Sequence, residues 1–153
     1  MNFEAFNLHP KIMAGIRMLD YQEPTPIQQR SIPPVMEGRD VMGLAQTGTG
    51  KTAAFVLPIL QRLMTGPRKC VRALILAPTR ELAEQTHEAI GQLGRNTQLK
   101  SATVYGGVNQ KTQISRLRGG GEIVVACPGR LLDLMNQGAI DLTRVEALVL
   151  DEA

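Results

Sequence analysis

The eight residues Ala45 to Thr52, AQTGTGKT, carry the strongest chemical signal in the chain. Thr47, Gly48, Thr49 and Gly50 make a turn whose two glycines let the backbone aim successive amides into one nest. Lys51 follows at once, with a side chain long enough to reach the β- and γ-phosphates of a nucleotide, and the Thr52 hydroxyl is a suitable ligand for Mg²⁺. A helix opening here adds positive potential. The general pattern of such a loop has Gly at its first position, where this chain has Ala45. The plainer alternative is a glycine-rich turn with a solvated lysine. Context separates the two, because a phosphate-binding loop follows a strand and starts a helix.

The second signal is Asp151-Glu152, which follows the apolar run Ala147 to Leu150. Carboxylates at the carboxyl end of a buried strand would face the phosphate site. Asp151 would hold Mg²⁺ through water, and Glu152 would polarise an attacking water. By itself an apolar run ending in Asp-Glu is common, and a helix N-cap explains it equally. Paired with AQTGTGKT it reads as the acidic motif of a P-loop ATPase, with Lys51, Asp151 and Glu152 as the catalytic set. The two motifs together indicate NTP hydrolysis and nothing narrower.

The elements that must position these residues are short aliphatic runs alternating with helical patterns. Val41 to Ala45, Ala73 to Ala77, Ser101 to Val104, Glu122 to Ala126 and Ala147 to Leu150 are rich in Val, Ile and Leu and mostly do not alternate with polar residues, as strands buried on both faces do not. Helices are predicted over Lys11 to Leu19 and from Thr25 to Glu37, the latter ending or breaking at Pro33-Pro34. Another follows Thr52, kinked or shortened at Pro58. Leu82, Ala83, Thr86, Ile90 and Leu93 share a helical face with Thr79 as N-cap. Ile114 and Leu117 anchor a helix that stops at Gly119-Gly120-Gly121, and Leu131, Leu132, Leu134 and Met135 one that stops before Gly138. The fold class is α/β: an open, mainly parallel sheet with flanking helices, which binds ligands at the carboxyl ends of its strands.

Composition agrees with one soluble globular domain: 153 residues, 43% hydrophobic and 20% charged, with 15 Gly and 9 Pro. No apolar run approaches the roughly 18 residues of a membrane span, and the opening MNFEAFNLHP has no signal-peptide pattern. Cys70 and Cys127 are too far apart for a ligand motif, so reduced thiols in a cytoplasmic protein are expected. A net charge of +3 leans toward a polyanionic partner without deciding for one. Aromatic residues at 3% argue against a base-stacking sheet.

Six short segments in order are similar to the motifs of the DEAD-box RNA helicases: Pro24-Thr25-Pro26-Ile27-Gln28, AQTGTGKT, Pro78-Thr79-Arg80-Glu81-Leu82-Ala83, Gly106-Gly107, Pro128-Gly129-Arg130 and Asp151-Glu152-Ala153. The resemblance runs from Phe3 to the last residue. It implies a RecA-like P-loop NTPase domain over residues 1–153, with residues 1–38 as an adenine-recognition helical segment. It implies ATP and Mg²⁺ as cofactors and RNA as partner. Gln28 resembles the glutamine that reads adenine, a task suited to a carboxamide, which can pair with both N6 and N7. Phe3 resembles the upstream aromatic that stacks on the base, with Phe6 as competitor. Pro78, Thr79, Arg80, Gly106, Gly107, Pro128, Gly129 and Arg130 look like RNA-backbone contacts, which would make binding largely independent of sequence. An N-cap, a plain turn and a paired surface arginine are their ordinary alternatives. The family usually has Thr where this chain has Cys127, and a thiol is a poor donor. His9 and His87 match nothing and read as surface or cap residues.

The resemblance further implies that the chain stops one residue short of the family's name motif. The rest of the first sheet and a second RecA-like domain, which supplies arginine fingers worth about 10³–10⁵ in rate in related enzymes, would belong to a longer parent. On this reading the parent is an ATP-dependent RNA helicase driving duplex unwinding or RNP remodelling, while the fragment alone is not an active one. A nucleotide- or RNA-binding module without turnover is the alternative, and a P-loop ATPase acting on DNA or protein is a third.

Overall fold

The computed structural model describes residues 1–152. Ala153, the last residue of the Asp151-Glu152-Ala153 segment, lies outside them. The chain divides into two units, Met1–Thr65 with Ala89–Gln98, and Gly66–Glu88 with Leu99–Ala153.

The first unit is helical. A 3₁₀ turn at Phe3–Phe6 leads into α1 (Pro10–Met18), whose N-cap is His9: the ring Nδ1 accepts the Lys11 amide at 3.1 Å. Next come α2 (Pro26–Met36) and α3 (Lys51–Leu63), packed against each other. The core gathers Ile12, Ile16, Ile32, Val56, Leu57, Leu60 and Leu63, all essentially inaccessible. α4 (Arg80–Leu93) begins in the second unit and ends in this one, where Ile90 and Leu93 join the core. Gly15 of α1 lies so close to the end of α4 that a β-carbon there would sit 2.3 Å from the Leu93 carbonyl oxygen.

The helix predicted to end or break at Pro33-Pro34 runs through both, and the one predicted to be kinked or shortened at Pro58 is not cut short there. α2 continues past Pro33-Pro34 to Met36. The carbonyls these prolines leave without donors belong to Gln29 and Arg30, which are exposed and so can bond to water. α3 continues through Pro58 to Leu63. An interior proline costs about 3 kcal/mol, whereas burying each of Val56, Leu57, Ile59, Leu60 and Leu63 returns about 1.5–3 kcal/mol.

The second unit holds a parallel sheet of four strands: β1 (Ala73–Leu76), β2 (Ser101–Val104), β3 (Ile123–Ala126) and β4 (Ala147–Leu150), in the order β2-β3-β1-β4. The central β3 is buried throughout, as its unbroken apolar sequence requires. α5 (Gln110–Arg118) is capped by Asn109, and α6 (Pro128–Asn136) is followed by Gly138 at φ 67°. The α/β class with a parallel sheet is therefore what the aliphatic runs indicated.

The amino ends of the strands are clasped by ion pairs and charged hydrogen bonds. Arg72, almost fully buried, makes a two-pronged pair with Glu146, both nitrogen–oxygen distances being 3.1 Å. The buried Glu122 carboxylate accepts the amides of Lys69 and Lys100 at 2.8 and 2.9 Å. Buried charges with these partners fix the strand register at one end and leave the other end to the loops.

One predicted strand does not form. Val41 to Ala45 has no ladder, and Met42 and Leu44 are 88% and 89% exposed. An apolar run becomes a strand only where a neighbour supplies backbone partners, and among the described residues β1 to β4 pair only with one another. Gly43 in the middle of the run weakens it further.

Candidate functional site

In the first unit the turn before α3 starts a helix but follows no strand among the described residues, so half of the context expected of a phosphate-binding loop is met; the turn itself is shaped by its glycines. Gly48 and Gly50 have φ of 83° and 84°, a region costly for any residue with a β-carbon. The Thr49 hydroxyl donates to the Gln46 carbonyl at 2.6 Å and closes the turn. Lys51 and Thr52 then form the first turn of α3, each half-buried. That turn has no capping side chain and no acidic residue. Its N-terminal amides, with Lys51 beside them, suit an anion, so the residues present fit a nucleotide phosphate.

Gln28 is held against this turn. Its Oε1 accepts the Thr25 amide at 2.9 Å, and its Nε2 donates to the Gly50 carbonyl at 3.1 Å. A β-carbon on Gly50 would lie 2.5 Å from Gln28 Nε2 and 2.9 Å from Thr25 Oγ1, so any other residue there would displace the Gln28 carboxamide as well as bear the strain of a positive φ. The residue is 3% exposed, and these two bonds use one of the carboxamide's two N–H groups and one of its two oxygen lone pairs. The contact with Gly50 is one that the sequence did not disclose.

Phe3 is 2% exposed, packed edge-on to Phe6 and tilted against Tyr21 with centroids 6.0 and 6.2 Å away. A cleft of about 300 Å³ opens beside it, lined also by Met13, Ile16, Arg17, Asp20 and Tyr21. Gln28 is not among its lining residues, so Phe3 and Gln28 do not share that cleft.

In the second unit the parallel register aligns the carboxyl ends Leu76, Val104, Ala126 and Leu150. Four sequence-predicted segments therefore emerge at one edge of one sheet: Pro78-Thr79-Arg80 after β1, Gly106-Gly107 after β2, Pro128-Gly129-Arg130 after β3 and Asp151-Glu152 after β4. Pro78, Thr79, Arg80, Gly106, Gly107, Pro128 and Gly129 are exposed, and Arg130 is half-buried. Thr79 caps α4, its hydroxyl oxygen accepting the Leu82 amide at 3.2 Å, which leaves its own proton to donate outward. Asp151 is half-buried, and its amide extends the ladder by donating to the Leu76 carbonyl at 2.9 Å. Glu152 is exposed with φ of 58°.

Three of these segments are joined by residues that sequence reasoning did not single out. Arg80 lies over the Tyr105 ring, 4.9 Å from its centroid, and the Tyr105 hydroxyl donates to Glu84 Oε1 at 2.5 Å. That hydrogen bond, then burial, holds the phenol above its ordinary value. Gln113 Nε2 donates to the Tyr105 carbonyl at 2.7 Å, and Arg130 Nη1 donates to Gln113 Oε1 and to the Val108 carbonyl at 3.1 and 3.2 Å. The only available signal was Tyr105 standing directly before Gly106-Gly107 in a chain with two tyrosines. Cys127 precedes α6 without a side-chain cap, and burial, then Glu81, push its thiol up, so it remains protonated. His87 Nδ1 lies 2.7 Å from Ser101 Oγ.

The model of the DEAD/DEAH box helicase family matches residues 25–153, most of the chain and all of these segments after Phe3 and Pro24. The chain belongs to this family. Among curated DEAD-box proteins, the ATP-dependent RNA helicase CshA of Streptococcus pneumoniae serotype 4 is 47% identical over 153 residues, covering 100% of this chain and 29% of its own length. The ATP-dependent RNA helicase DeaD of Mycobacterium tuberculosis strain H37Rv is 46% identical over 152 residues, covering 99% of this chain and 27% of its own. A crystal structure of a hypothetical ATP-dependent RNA helicase from Sulfolobus tokodaii superimposes with a TM-score of 0.85 at 41% identity, covering 94% of this chain and 41% of that one. This helicase-family chain thus spans less than a third of the curated relatives' length. No helix among its described residues is long and apolar enough to cross a membrane.

Proposed function

We propose that the chain is the ATP-binding, RNA-contacting part of an ATP-dependent RNA helicase, whose full-length form hydrolyses ATP in response to RNA and opens duplexes or remodels RNP. The observation that carries it is the Thr47–Gly50 turn delivering Lys51 and Thr52 into an uncapped helix start, within a chain of DEAD/DEAH box membership. Lys51 binds the triphosphate, and Thr49 and Gly48 shape its cradle. Gln28 reads adenine with the hydrogen-bonding capacity that Thr25 and Gly50 leave it; stacking of Phe3 on the same base rests on the family resemblance alone, since Phe3 is buried and its neighbouring cleft is not lined by Gln28.

When bound, Mg²⁺ would supply charge neutralisation on the phosphates, and one or two protein oxygens would suffice to hold it. Thr52 and Asp151 are the residues proposed to hold it, and Glu152 to orient the attacking water. The loops after β1, β2 and β3 grip the RNA backbone through Thr79, Arg80, Arg130 and the exposed amides near Gly106, Gly107 and Gly129. The backbone is common to every sequence, so affinity follows salt more than base order. A second RecA-like domain and a cytoplasmic location are part of this reading, which the length of the relatives supports for the former.

The test is ATP hydrolysis by the full-length protein with RNA and with DNA of the same sequence in competition. Stimulation by RNA that DNA does not match is expected. Stimulation by DNA alone would assign the activity elsewhere, and nucleotide binding without turnover in either would leave a binding module.

A further inference from the structure

The Tyr105 contacts have a pattern that a packing residue does not need. Arg80 and Glu84 are one helical turn apart on α4, where an arginine and a glutamate normally pair with each other. Here Glu84 is turned to the Tyr105 hydroxyl instead. Arg80 has no ion-pair partner among the described residues. Its guanidinium carbon stands over the ring, and Nη1 lies on the Gly107 side: a β-carbon on Gly107 would be 3.8 Å from it. A guanidinium held over a ring by a cation–π contact keeps N–H groups for a second partner.

From the other side, Gln113 is 3% exposed and held at both ends of its carboxamide: it donates to the Tyr105 carbonyl and accepts from Arg130. One aromatic residue, through its ring and its carbonyl, thus stands between two arginines that come from different strands' loops.

We propose that Tyr105 is a positioning residue that seats the Arg80 guanidinium and, through Gln113, ties it to Arg130, so that both arginines present outward N–H groups to the backbone of one RNA strand. The proposal rests on the RNA-contacting role given to these loops above. Tyr105 and Gln113 touch no RNA in this scheme. Their effect is to remove side-chain freedom that two exposed arginines would otherwise lose on binding.

The experiment uses the full-length protein and a single-stranded RNA oligonucleotide, with affinity measured over a range of salt concentrations. Each phosphate contact on a single strand contributes about 0.7 to the slope of log affinity against log salt. Arg80→Ala is expected to lower the slope by about that amount and to weaken binding several-fold. Tyr105→Leu is expected to reproduce the effect with Arg80 still present, Tyr105→Phe to recover it because the ring remains, and Tyr105→Leu with Arg80→Ala to be no worse than Arg80→Ala alone. Gln113→Met, which keeps the volume, is expected to lower the slope as Arg130→Ala does, so the proposal has a second readout if Tyr105→Leu does not fold. Full additivity of the Tyr105 and Arg80 changes, or an unchanged slope in both Tyr105→Leu and Gln113→Met, overturns the positioning role while Arg80→Ala still weakens binding. An Arg80→Ala protein with wild-type affinity and slope removes the RNA-contacting reading itself, and the positioning role with it.

Discussion

Gln28 and Gly50 lie 22 residues apart in sequence and are joined by one hydrogen bond, the carboxamide Nε2 donating to the glycine carbonyl at 3.1 Å. The residue assigned to the base and the turn assigned to the phosphates are therefore parts of one hydrogen-bonded structure. Gln28→Ala loosens the turn by removing the Gly50 and Thr25 bonds and takes away the carboxamide proposed to read the base, whose two hydrogen bonds to adenine are worth about 1 kcal/mol each. It is expected to weaken ADP binding by roughly ten-fold or more, measured by calorimetry on the full-length protein. An affinity unchanged by the substitution would separate Gln28 from the nucleotide site.

The two glycines of the turn are expected to differ. Both have positive φ, which costs a residue with a β-carbon about 1–2 kcal/mol. A β-carbon at Gly48 meets nothing within 4 Å, whereas one at Gly50 runs into Gln28 and Thr25. Gly50→Ala should abolish measurable nucleotide binding, while Gly48→Ala should retain it at reduced affinity. Binding curves of the two variants, recorded side by side, check the order.

A second pair of glycines separates packing from propensity. Gly15→Ala forces a methyl group against the Leu93 carbonyl and should destabilise the protein by about 2–4 kcal/mol. Gly91, inside α4, has open space around its missing side chain. Gly91→Ala should stabilise by about 0.5–1 kcal/mol. Thermal unfolding of each variant gives the two signs.

Tyr105 supplies a pH dependence. Its phenol is held above the ordinary value near 10 by the hydrogen bond to Glu84 and by burial. A raised pKa in the folded state means that the stabilisation is complete below the unfolded value and is lost as pH rises through the folded one. Absorbance titration of the folded protein should show a tyrosine ionising above pH 10, and Glu84→Gln should bring that titration down. A Tyr105 signal at the ordinary value in the unsubstituted protein would contradict the geometry.

Much of this was legible in the sequence because the signals were local and redundant. β1, β3 and β4 are continuous aliphatic runs, and such runs have few alternatives to a parallel strand. β4 was expected to be buried on both faces and is not: it is an edge strand with Leu148 and Leu150 59% and 58% exposed, because the run does not show which faces its neighbours cover. Thr79 and Gly138 mark their helix ends by chemistry that does not depend on neighbours. Val41 to Ala45 was misread because ladder formation depends on a partner that the run itself does not specify. Pro33-Pro34 was given too much weight, as was shortening at Pro58, since exposure of Gln29 and Arg30 and burial of α3's apolar side chains are tertiary facts. Tyr105 and Gln113 were invisible for a similar reason: each is an ordinary residue until folding brings it between Arg80 and Arg130.

The central claim is that the Thr47–Gly50 turn and Lys51 grip a triphosphate whose hydrolysis answers to RNA. The most direct measurement is the rate of ATP hydrolysis by the full-length protein, with and without RNA, beside its Lys51→Ala variant. The account predicts a rate that rises with RNA and falls by at least about 100-fold (more than 2.7 kcal/mol) in the variant. A rate indifferent to both RNA and the loss of Lys51 would contradict it.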